Sequence, residues 1–397
     1  MIYITGLGII SGIGADVTET LMAIRQGRVG VGRLTLFESA HKDSVSVSEV
    51  KYGNVELSRM IGLPEHQTIS RTALLGMKAV GEALSDAGIE GEERTHTALV
   101  SSTSTGGMDL SEGFYCAMKT GRKARLRHIV SHDCGDSAER IAVHYGLKHL
   151  CTTVSTACSS AANAIMFGAR LIRQGLADRV VAGGTDALTL FTLNGFRSLM
   201  ILDPAPCRAF DDTRAGLNLG EGAGYIVLEN EQSLIQSGRT PYCCLTGYGN
   251  ANDAYHQTAS SPEGNGPYAA MSTALSASGL SPDNIDYVNA HGTGTPNNDL
   301  SEGRAMVRLF GDRMPMFSST KAFTGHTLGA AGGIEAAFSV LAIRQGLVYP
   351  NLNFTQPMKE LPIIPQTNLL TDVPINHVLS NSFGFGGNCT ALVFSRI

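Results

Sequence analysis

Short apolar runs alternate along the chain with longer segments in which apolar residues recur every three to four positions. Runs of the first kind, such as Ile2–Thr5 and Arg179–Gly183, predict buried strands. Segments of the second kind predict helices. The long helix predicted at Thr68–Ala87 is followed by Gly88, a residue typical of helix C-termini. Alternation of this kind indicates an α/β layered fold.

The same alternation continues to the end of the chain. Further strands are predicted at 97–101, 152–155, 223–228, 242–247, 285–290, 316–319, 378–382 and 391–394. Further helices are predicted at 17–26, 138–145, 158–174, 268–278, 300–309 and 328–344.

The second half of the chain faintly repeats the first. Ile-Thr-Gly-Leu-Gly at 4–8 resembles Leu-Thr-Gly-Tyr-Gly at 245–249, and in each half a strand leads into a helix rich in Ala and Gly, at 158–174 and 328–344. Helices that are apolar nearly all round are buried. We therefore expect two halves that each bury one such helix between sheets. Without a linker between them, the halves should form one compact unit.

Composition supports a large buried core, since 43% of the residues are hydrophobic and only 16% are charged. The low charge also favours a surface that is partly covered by a partner subunit. A net charge of −5 argues against nucleic-acid binding, which needs a basic surface. The one dense basic run is Arg122, Lys123, Arg125 and Arg127, for which a solvated loop is the commoner interpretation.

We expect a soluble, cytoplasmic protein that does not enter membranes. The chain begins with an apolar segment that lacks a basic region and is broken by glycines, which predicts a first strand and not a signal peptide. The longest apolar stretches fall short of the ~18 to 20 residues that a membrane helix needs. The eight cysteines show neither a Cys-x-x-Cys pair nor metal-ligand spacing, so we expect reduced thiols and no metal site.

Cys158 lies where a predicted strand passes into a predicted helix, among small residues at 154–161. The N-terminus of a helix favours a thiolate, so we expect a lowered pKa and a nucleophilic sulfur there. The same backbone amides can bind a developing oxyanion. The alternative is a buried structural cysteine, but the small flanking residues favour a site that a ligand can approach.

Two histidines stand in comparable positions. His291 follows an apolar strand and precedes Gly-Thr-Gly-Thr, which places it at the carboxyl end of the strand, where α/β sheets bind ligands. His326 lies just before the second small-residue helix. Lys321 and Glu335 are ionisable residues in an otherwise apolar stretch, so they are expected to pair, either for structure or for catalysis. Together with Cys158, these residues predict thiolate chemistry supported by two imidazoles.

The segment 381–388 alternates phenylalanine with glycine. Flexible backbone that carries bulky apolar side chains is typical of a mobile gate over a site. A glycine-rich turn anchored by core phenylalanines is the alternative.

The chain resembles the β-ketoacyl-[acyl carrier protein] synthases, the type II condensing enzymes of the elongating Cys-His-His kind in the thiolase superfamily. The resemblance covers essentially the whole chain. It rests on Thr-Ala-Cys-Ser-Ser at 156–160, His-Gly-Thr-Gly-Thr at 291–295 and Lys-Ala-Phe-Thr-Gly-His-Thr at 321–327. Cys-Arg-Ala-Phe-Asp at 207–211 and Gly-Glu-Gly-Ala-Gly at 220–224 match as well.

The resemblance implies a thiolase-like fold in which two pseudo-repeated halves form a five-layered α-β-α-β-α sandwich. Residues 1–240 are expected to form the half with the nucleophilic cysteine, and residues 241–397 the half with the two histidines. It also implies a homodimer, or a heterodimer with a related ketosynthase-like subunit. Acyl carrier protein is the implied partner, and the substrates are carried on its phosphopantetheine without any other cofactor.

The implied reaction elongates a fatty-acid, polyene or polyketide-type chain by two carbons. Cys158 takes up the acyl group, and His291 and His326 support decarboxylation of malonyl-acyl carrier protein. The backbone amides of Cys158 and Phe385 form the oxyanion hole, and Phe385 also acts as the gate. Lys321 and Glu335 are the implied supporting charged pair. Further residues that the resemblance places against substrate are Thr293, Thr295, Thr105, Phe383, Gly384 and Gly386.

Arg122 and Lys123 lie where related enzymes carry basic residues that face the acidic carrier protein. The resemblance therefore favours a docking role for this basic run over a solvated loop. Two positions depart from the family pattern. Asn388 and Cys389 replace the usual Thr-Asn after the gate, and Thr105 stands where a larger apolar residue often lines the acyl pocket. Both departures point to an acyl chain other than an ordinary saturated one.

Two other functions fit parts of the sequence. A thiolase shares the fold and uses a second cysteine near its C-terminus, where this chain has Cys389, but the two histidines favour decarboxylation. A non-catalytic partner subunit of a polyketide system also shares the fold, but typically lacks the nucleophilic cysteine that is present here.

Overall fold

The computed structural model describes residues 1–64 and 67–397, which form thirteen strands and twelve α-helices joined by loops and short 3-10 turns. The strands are β1 Tyr3–Ser11, β2 Val31–Arg33, β3 Ser46–Ser48, β4 Ala98–Ser102, β5 Cys151–Val154, β6 Arg179–Asp186, β7 Leu219–Gly220, β8 Gly222–Glu229, β9 Cys243–Asn252, β10 Tyr287–Asn289, β11 Met316–Ser318, β12 His377–Phe383 and β13 Asn388–Ser395. The helices are α1 Val17–Arg25, α2 Asn54–Met60, α3 Arg71–Asp86, α4 Met108–Lys119, α5 Cys134–Tyr145, α6 Ser160–Arg173, α7 Leu190–Ser198, α8 Glu231–Ser237, α9 Asn265–Ser278, α10 Pro296–Phe310, α11 Lys321–Thr324 and α12 Ala331–Gln345.

Every strand and helix predicted from the hydrophobic pattern is present, with ends that differ by a few residues. The helices that the pattern missed are short or lie at the surface. For example, α4 has no buried residue, and α7 buries only Thr192 and Leu193. A helix without a continuous buried face has no strong apolar period, so its sequence resembles that of a loop.

Ten strands form one mixed sheet in the order β11-β10-β12-β13-β9-β1-β8-β6-β4-β5. Its two sides repeat each other outward from the β9–β1 contact. From β1, two antiparallel pairings with β8 and β6 are followed by two parallel pairings with β4 and β5. From β9, the same sequence of pairings runs through β13, β12, β10 and β11. The faint sequence repeat therefore corresponds to a repeat of topology.

The helices complete five layers. Helices α6 and α12 lie between the two halves of the sheet, α3 and α5 cover one outer face, and α9 and α10 cover the other. Three clusters of buried apolar residues fill the spaces between these layers. The five-layered sandwich that the resemblance implies is thus the observed fold, whereas the division at residue 240 stays a prediction.

Glycines allow the central helix α12 to lie directly against β8. A Cβ atom at Gly224 would lie 2.3 Å from the backbone nitrogen of Ile334, and one at Gly333 would lie 2.2 Å from the carbonyl oxygen of Gly224. Contacts this short leave no room for a side chain on either element, so the layer spacing depends on these two glycines.

We expect Gly224→Ala to lower the free energy of unfolding by about 1–3 kcal/mol or more, because the added methyl group must push the backbones of β8 and α12 apart. Gly195→Ala, in the exposed helix α7, is the matched control, since a Cβ there meets no atom within 4 Å. It should leave stability unchanged or raise it by about 0.5–1 kcal/mol. Urea unfolding measures both, and equal stability of the two variants would contradict the packing argument.

Candidate active site

The turn between β5 and α6 presents Cys158 to the interior. Helix α6 starts at Ser160, and Ala157 adopts a left-handed conformation with φ of 52°, which turns the chain sharply just before the cysteine. In the other half, Leu328 has φ of 51° and stands at the same distance before α12. Non-glycine residues rarely adopt this conformation, and such residues cluster at functional sites. The repeat thus places one specialised turn ahead of each central helix.

The two histidines and the gate come from the other half of the sheet. Strands β10, β11 and β12 are parallel, so their carboxyl ends lie at one edge of the sheet. His291 follows β10 by two residues, His326 lies between α11 and α12, and the gate segment 384–387 follows β12. The predicted residues that line one cavity of about 220 Å³ are Cys158, His291, Thr293, Thr295, His326, Phe383, Gly384, Phe385 and Gly386.

Lys321, which lies behind the cavity, determines which ring nitrogen of His291 carries the proton. Its ammonium group, only 2% exposed, forms an ion pair with Glu335, donates to the carbonyl oxygen of His291 at 2.5 Å and faces His291 Nδ1 at 3.3 Å. An ammonium group can only donate, so Nδ1 must accept. The neutral ring therefore carries its proton on Nε2, and His291 can donate a hydrogen bond from that nitrogen.

Both histidines are neutral at neutral pH. Burial, reinforced by the nearby Lys321 ammonium, holds the pKa of His291 and of His326 well below the usual 6.5. Their rings lie 5.4 Å apart and nearly perpendicular. His326 Nδ1 is buried and has no hydrogen-bond partner in the part of the chain that the structure describes. Two neutral imidazoles can donate a hydrogen bond or accept a proton, whereas imidazolium can only donate.

The pKa of Cys158 is raised, although the sequence predicted a lowered one. Burial raises the pKa of the thiol to about 12, although the Lys321 ammonium and the backbone N–H of Phe385 act in the other direction. The expectation of a lowered pKa was wrong because desolvation of the buried thiolate outweighs the groups that stabilise it. The thiol is therefore protonated at neutral pH and must lose its proton as it reacts.

The segment 384–387, which was predicted to be a gate, lines the cavity beside Cys158. Phe385 directs its backbone N–H to the sulfur of Cys158, and its ring stacks on Phe196 with centroids 5.7 Å apart. Gly386 and Gly387 have φ values of 84° and 83°, a conformation that a side chain would strain. The amide of the first of these glycines also donates to the carbonyl oxygen of Gln257 at 2.7 Å. The gate is thus fixed by backbone bonds at a conformation that glycine makes accessible.

Comparison with known proteins decides the family. The family model described as "Beta-ketoacyl synthase, N-terminal domain" matches residues 1–233, and "Beta-ketoacyl synthase, C-terminal domain" matches residues 242–355. The chain belongs to the β-ketoacyl synthase family. It is 35% identical to 3-oxoacyl-[acyl-carrier-protein] synthase 2 of Staphylococcus aureus (strain COL) and 34% identical to that of Coxiella burnetii. Each alignment covers 100% of this chain and 98% of the relative.

Solved structures of ketosynthases share the fold. The ishigamide ketosynthase/chain length factor superposes with a TM-score of 0.93 at 28% identity, over 100% of this chain and 99% of that one. A ketosynthase in complex with its chain length factor from Xenorhabdus doucetiae superposes with a TM-score of 0.85 at 31% identity, over 100% and 98% of the two chains. The family resemblance and the fold class predicted from the motifs are therefore confirmed.

In this β-ketoacyl synthase, three predicted site residues besides Lys321 and Glu335 lie outside the cavity. Arg122 and Lys123 are exposed just beyond α4. Thr105 lies in the loop after β4, and its buried hydroxyl has no hydrogen-bond partner among the described residues. The cavity around Cys158 therefore does not include the wall that Thr105 was expected to form, and the roles of these three residues stay predictions.

Sequence reasoning missed several residues that line the cavity of this β-ketoacyl synthase. They are Phe196, Ile201, Leu217, His256, Thr258, Ala259, Ser260, Asn297 and Asn298. Most lie in loops or in the overlooked helix α7, where no local motif distinguishes them. Phe196 is the exception, because it follows a glycine at 195 and the gate was predicted from the same combination of glycine and phenylalanine.

Within residues 1–64 and 67–397, no three His, Cys, Asp or Glu side chains are grouped so that they could hold a metal ion. The same residues include no helix that is long and apolar enough to cross a membrane.

Proposed function

We propose that the protein is a β-ketoacyl-[acyl carrier protein] synthase, which joins an acyl thioester to a malonyl thioester with loss of carbon dioxide. The observation that carries this proposal is the meeting of Cys158, His291 and His326 in one cavity, with Lys321 fixing the tautomer of His291. A thiol beside two neutral imidazoles supplies both a nucleophile and donors for a developing enolate.

In the first half-reaction, the sulfur of Cys158 attacks the carbonyl carbon of the acyl carrier thioester. One of the neutral histidines accepts the thiol proton, which later protonates the departing pantetheine thiolate. The backbone N–H groups of Cys158 and Phe385 stabilise the tetrahedral oxyanion. The hydroxyls of Thr293 and Thr295, 2.9 Å apart, line the same cavity and bind the pantetheine arm.

In the second half-reaction, malonyl thioester enters and its carbonyl oxygen accepts hydrogen bonds from the histidines, including the Nε2–H of His291. Loss of carbon dioxide leaves an enolate whose charge these donors stabilise. The enolate carbon attacks the acyl carbonyl, and the tetrahedral intermediate expels the thiolate of Cys158. The product is a β-ketoacyl thioester two carbons longer, and no metal or organic cofactor takes part.

The proposal assigns the other predicted residues to binding. Arg122 and Lys123 form the exposed basic docking site for the carrier protein, whose phosphopantetheine brings the substrates. Thr105 lines the acyl pocket, which accepts a polyene or polyketide-like chain. The gate residues Phe383, Gly384 and Gly386, named above as cavity lining, shape the entrance.

A direct test incubates the protein with malonyl and acyl carrier proteins of saturated and polyenoyl type. Carbon dioxide release and an intact carrier mass that corresponds to a β-ketoacyl chain are the expected results. When acetyl thioester is the only substrate, acetoacetyl formation with release of one thiol and no carbon dioxide would instead indicate thiolase chemistry. The second thiol of Cys389 in the same cavity is the observation that supports this alternative. Efficient elongation of saturated chains alone would remove the polyene assignment.

A working dimer is part of the proposal. The edge strand β5 pairs only with β4 among the described strands, so its other side is open to strand addition by a second subunit. That subunit is another copy or a related ketosynthase-like chain. If neither the purified protein nor its mixture with a co-expressed neighbour exceeds monomer mass in solution, the dimer is excluded.

Protonation of the two histidines should give the decarboxylation step no acid limb between pH 8 and 6. Both histidines have lowered pKa values, so they stay neutral throughout this range and do not gain a proton until the pH falls further. With an ordinary pKa of 6.5, one histidine alone would lose about fourfold of its neutral form at pH 6. Single-turnover release of carbon dioxide from pre-acylated enzyme measures this, and an acid limb with a midpoint near 6.5 would contradict it.

A further inference from the structure

A cluster of polar side chains connects the gate to the start of α6. Asn388 begins β13 three residues after Phe385, and its side-chain oxygen accepts four hydrogen bonds. Three donors come from other elements, namely Ser159 Oγ at 2.8 Å, Asn163 Nδ2 at 2.7 Å and Asn250 Nδ2 at 2.9 Å. The fourth is Thr390 Oγ1 in the same strand, at 3.4 Å. One amide oxygen therefore joins α6, β9 and the strand that follows the gate.

A second set of bonds braces the same donors. Asn163 Nδ2 also donates to Thr156 Oγ1 at 2.8 Å, while Asn163 Oδ1 accepts from Asn250 at 3.0 Å and from Thr390 at 2.8 Å. Ser159, Asn163 and Thr390 are all at most 6% exposed. Buried polar groups that satisfy one another in this way specify one arrangement of the elements that carry them.

The main chain of Asn388 holds the other end of the gate. Its carbonyl oxygen accepts from the backbone N–H of Gly384 at 2.8 Å, so the residues from 384 to 388 form a closed loop. The backbone N–H of Phe385, inside this loop, faces the sulfur of Cys158, and Ser159 directly follows that cysteine. Asn388 thus bonds to Gly384, next to Phe385, and to Ser159, next to Cys158. It is not among the residues that line the cavity.

We propose that Asn388 is a positioning residue, which fixes the Phe385 N–H against Cys158 by tying the gate to the start of α6 through Ser159, Asn163 and Asn250. This inference rests on the proposed condensing function for its kinetic consequences. Its structural content, that the side chain of Asn388 restrains the gate, does not depend on which reaction the site performs.

Acylation of Cys158 and decarboxylation should depend on Asn388 unequally. The Phe385 N–H stabilises the tetrahedral oxyanions of acyl transfer and of condensation, whereas the enolate formed by decarboxylation draws on the histidines. Losing an oxyanion donor or misplacing it by about an ångström costs on the order of 100-fold in rate. A loosened gate should therefore slow acylation of Cys158 and leave decarboxylation and the KM for carrier protein nearly unchanged.

The test compares Asn388→Leu, which removes the acceptor at similar volume, with Asn388→Asp, which keeps an oxygen for the donors on Ser159, Asn163 and Asn250. We expect Asn388→Leu to lower the acylation rate of Cys158, followed by intact mass, by about 10- to 100-fold. Release of carbon dioxide from malonyl carrier protein without an acyl donor, and the KM for carrier, should stay within about twofold. Asn388→Asp should restore most of the acylation rate.

Hydrogen exchange of peptides spanning 383–389 gives a readout without any substrate. Asn388→Leu should speed exchange of the gate amides, and Asn388→Asp should not. Wild-type exchange and acylation rates in Asn388→Leu would overturn the proposal, as would an equal fall of acylation and decarboxylation in a folded variant. A wild-type protein that forms no acyl-enzyme would refute the proposed function instead, while the exchange comparison would still decide whether Asn388 restrains the gate.

Discussion

Replacing Cys158 with alanine should abolish the covalent acyl-enzyme, whereas replacing Cys389 with alanine should preserve it. The comparison is sharp because both thiols are buried and both line the same cavity. They differ in their surroundings. Cys158 follows a left-handed turn at the start of α6 and receives the N–H of Phe385, while Cys389 lies within β13 and its thiol approaches the carbonyl oxygen of Gly387 at 3.5 Å.

A nucleophile needs donors directed at the charge that develops on its partner, and only Cys158 has the gate amide beside it. Removing the attacking atom of an enzyme that works through a covalent intermediate typically costs about 10³- to 10⁶-fold. We therefore expect no mass gain in Cys158→Ala after incubation with acyl carrier protein, and a wild-type mass gain in Cys389→Ala. Persistence of the acyl mass in Cys158→Ala, or its loss in Cys389→Ala, would assign the nucleophile differently.

Lys321→Met should be the most destabilising single change at the site, lowering the free energy of unfolding by about 3–5 kcal/mol. The ammonium group is the ion-pair partner of Glu335, a residue only 3% exposed. The second carboxylate oxygen of this glutamate has no hydrogen-bond partner within the described part of the chain. Without Lys321, a carboxylate would remain buried without compensation.

The stability that Lys321→Met loses should increase with pH, because the variant leaves Glu335 buried without its partner. Burial already raises the pKa of its carboxyl to about 7 against the opposing attraction of Lys321, so removing the lysine raises it further. A carboxyl whose pKa is higher in the folded than in the unfolded state destabilises the protein increasingly as pH rises above the unfolded value. Urea unfolding at pH 6 and pH 8 should show the larger deficit at pH 8.

Two further variants separate stability from catalysis. Lys321→Met combined with Glu335→Gln removes both charges and should recover much of the lost stability. It should not recover decarboxylation, because no ammonium group then holds the proton of His291 on Nε2. Lys42→Met, which breaks an exposed pair with Glu38 at 2.9 Å, is the control and should cost less than about 1 kcal/mol. Full activity of the double variant would show that the tautomer of His291 does not depend on Lys321.

Much of the site could be predicted because its chemistry is encoded locally. Cys158, His291 and His326 each follow a predicted strand and stand among small residues. The parallel strands β10, β11 and β12 bring their carboxyl ends to one edge, which places the two histidines close together. The strands and buried helices could be predicted for a similar reason, since their apolar period reflects burial on one or all sides. Surface helices such as α4 bury too little to leave that signal.

The sequence by itself thus determined the layered α/β fold, the family and the residue types that meet in the cavity. Only the tertiary structure decided how those residues are tuned, because tuning depends on distances between elements far apart in the chain. Burial reverses the predicted pKa shift of Cys158, Lys321 selects the tautomer of His291 across 30 residues, and Asn388 reaches Ser159 across 229. No local pattern records such contacts, since they exist only once the two halves have packed against each other.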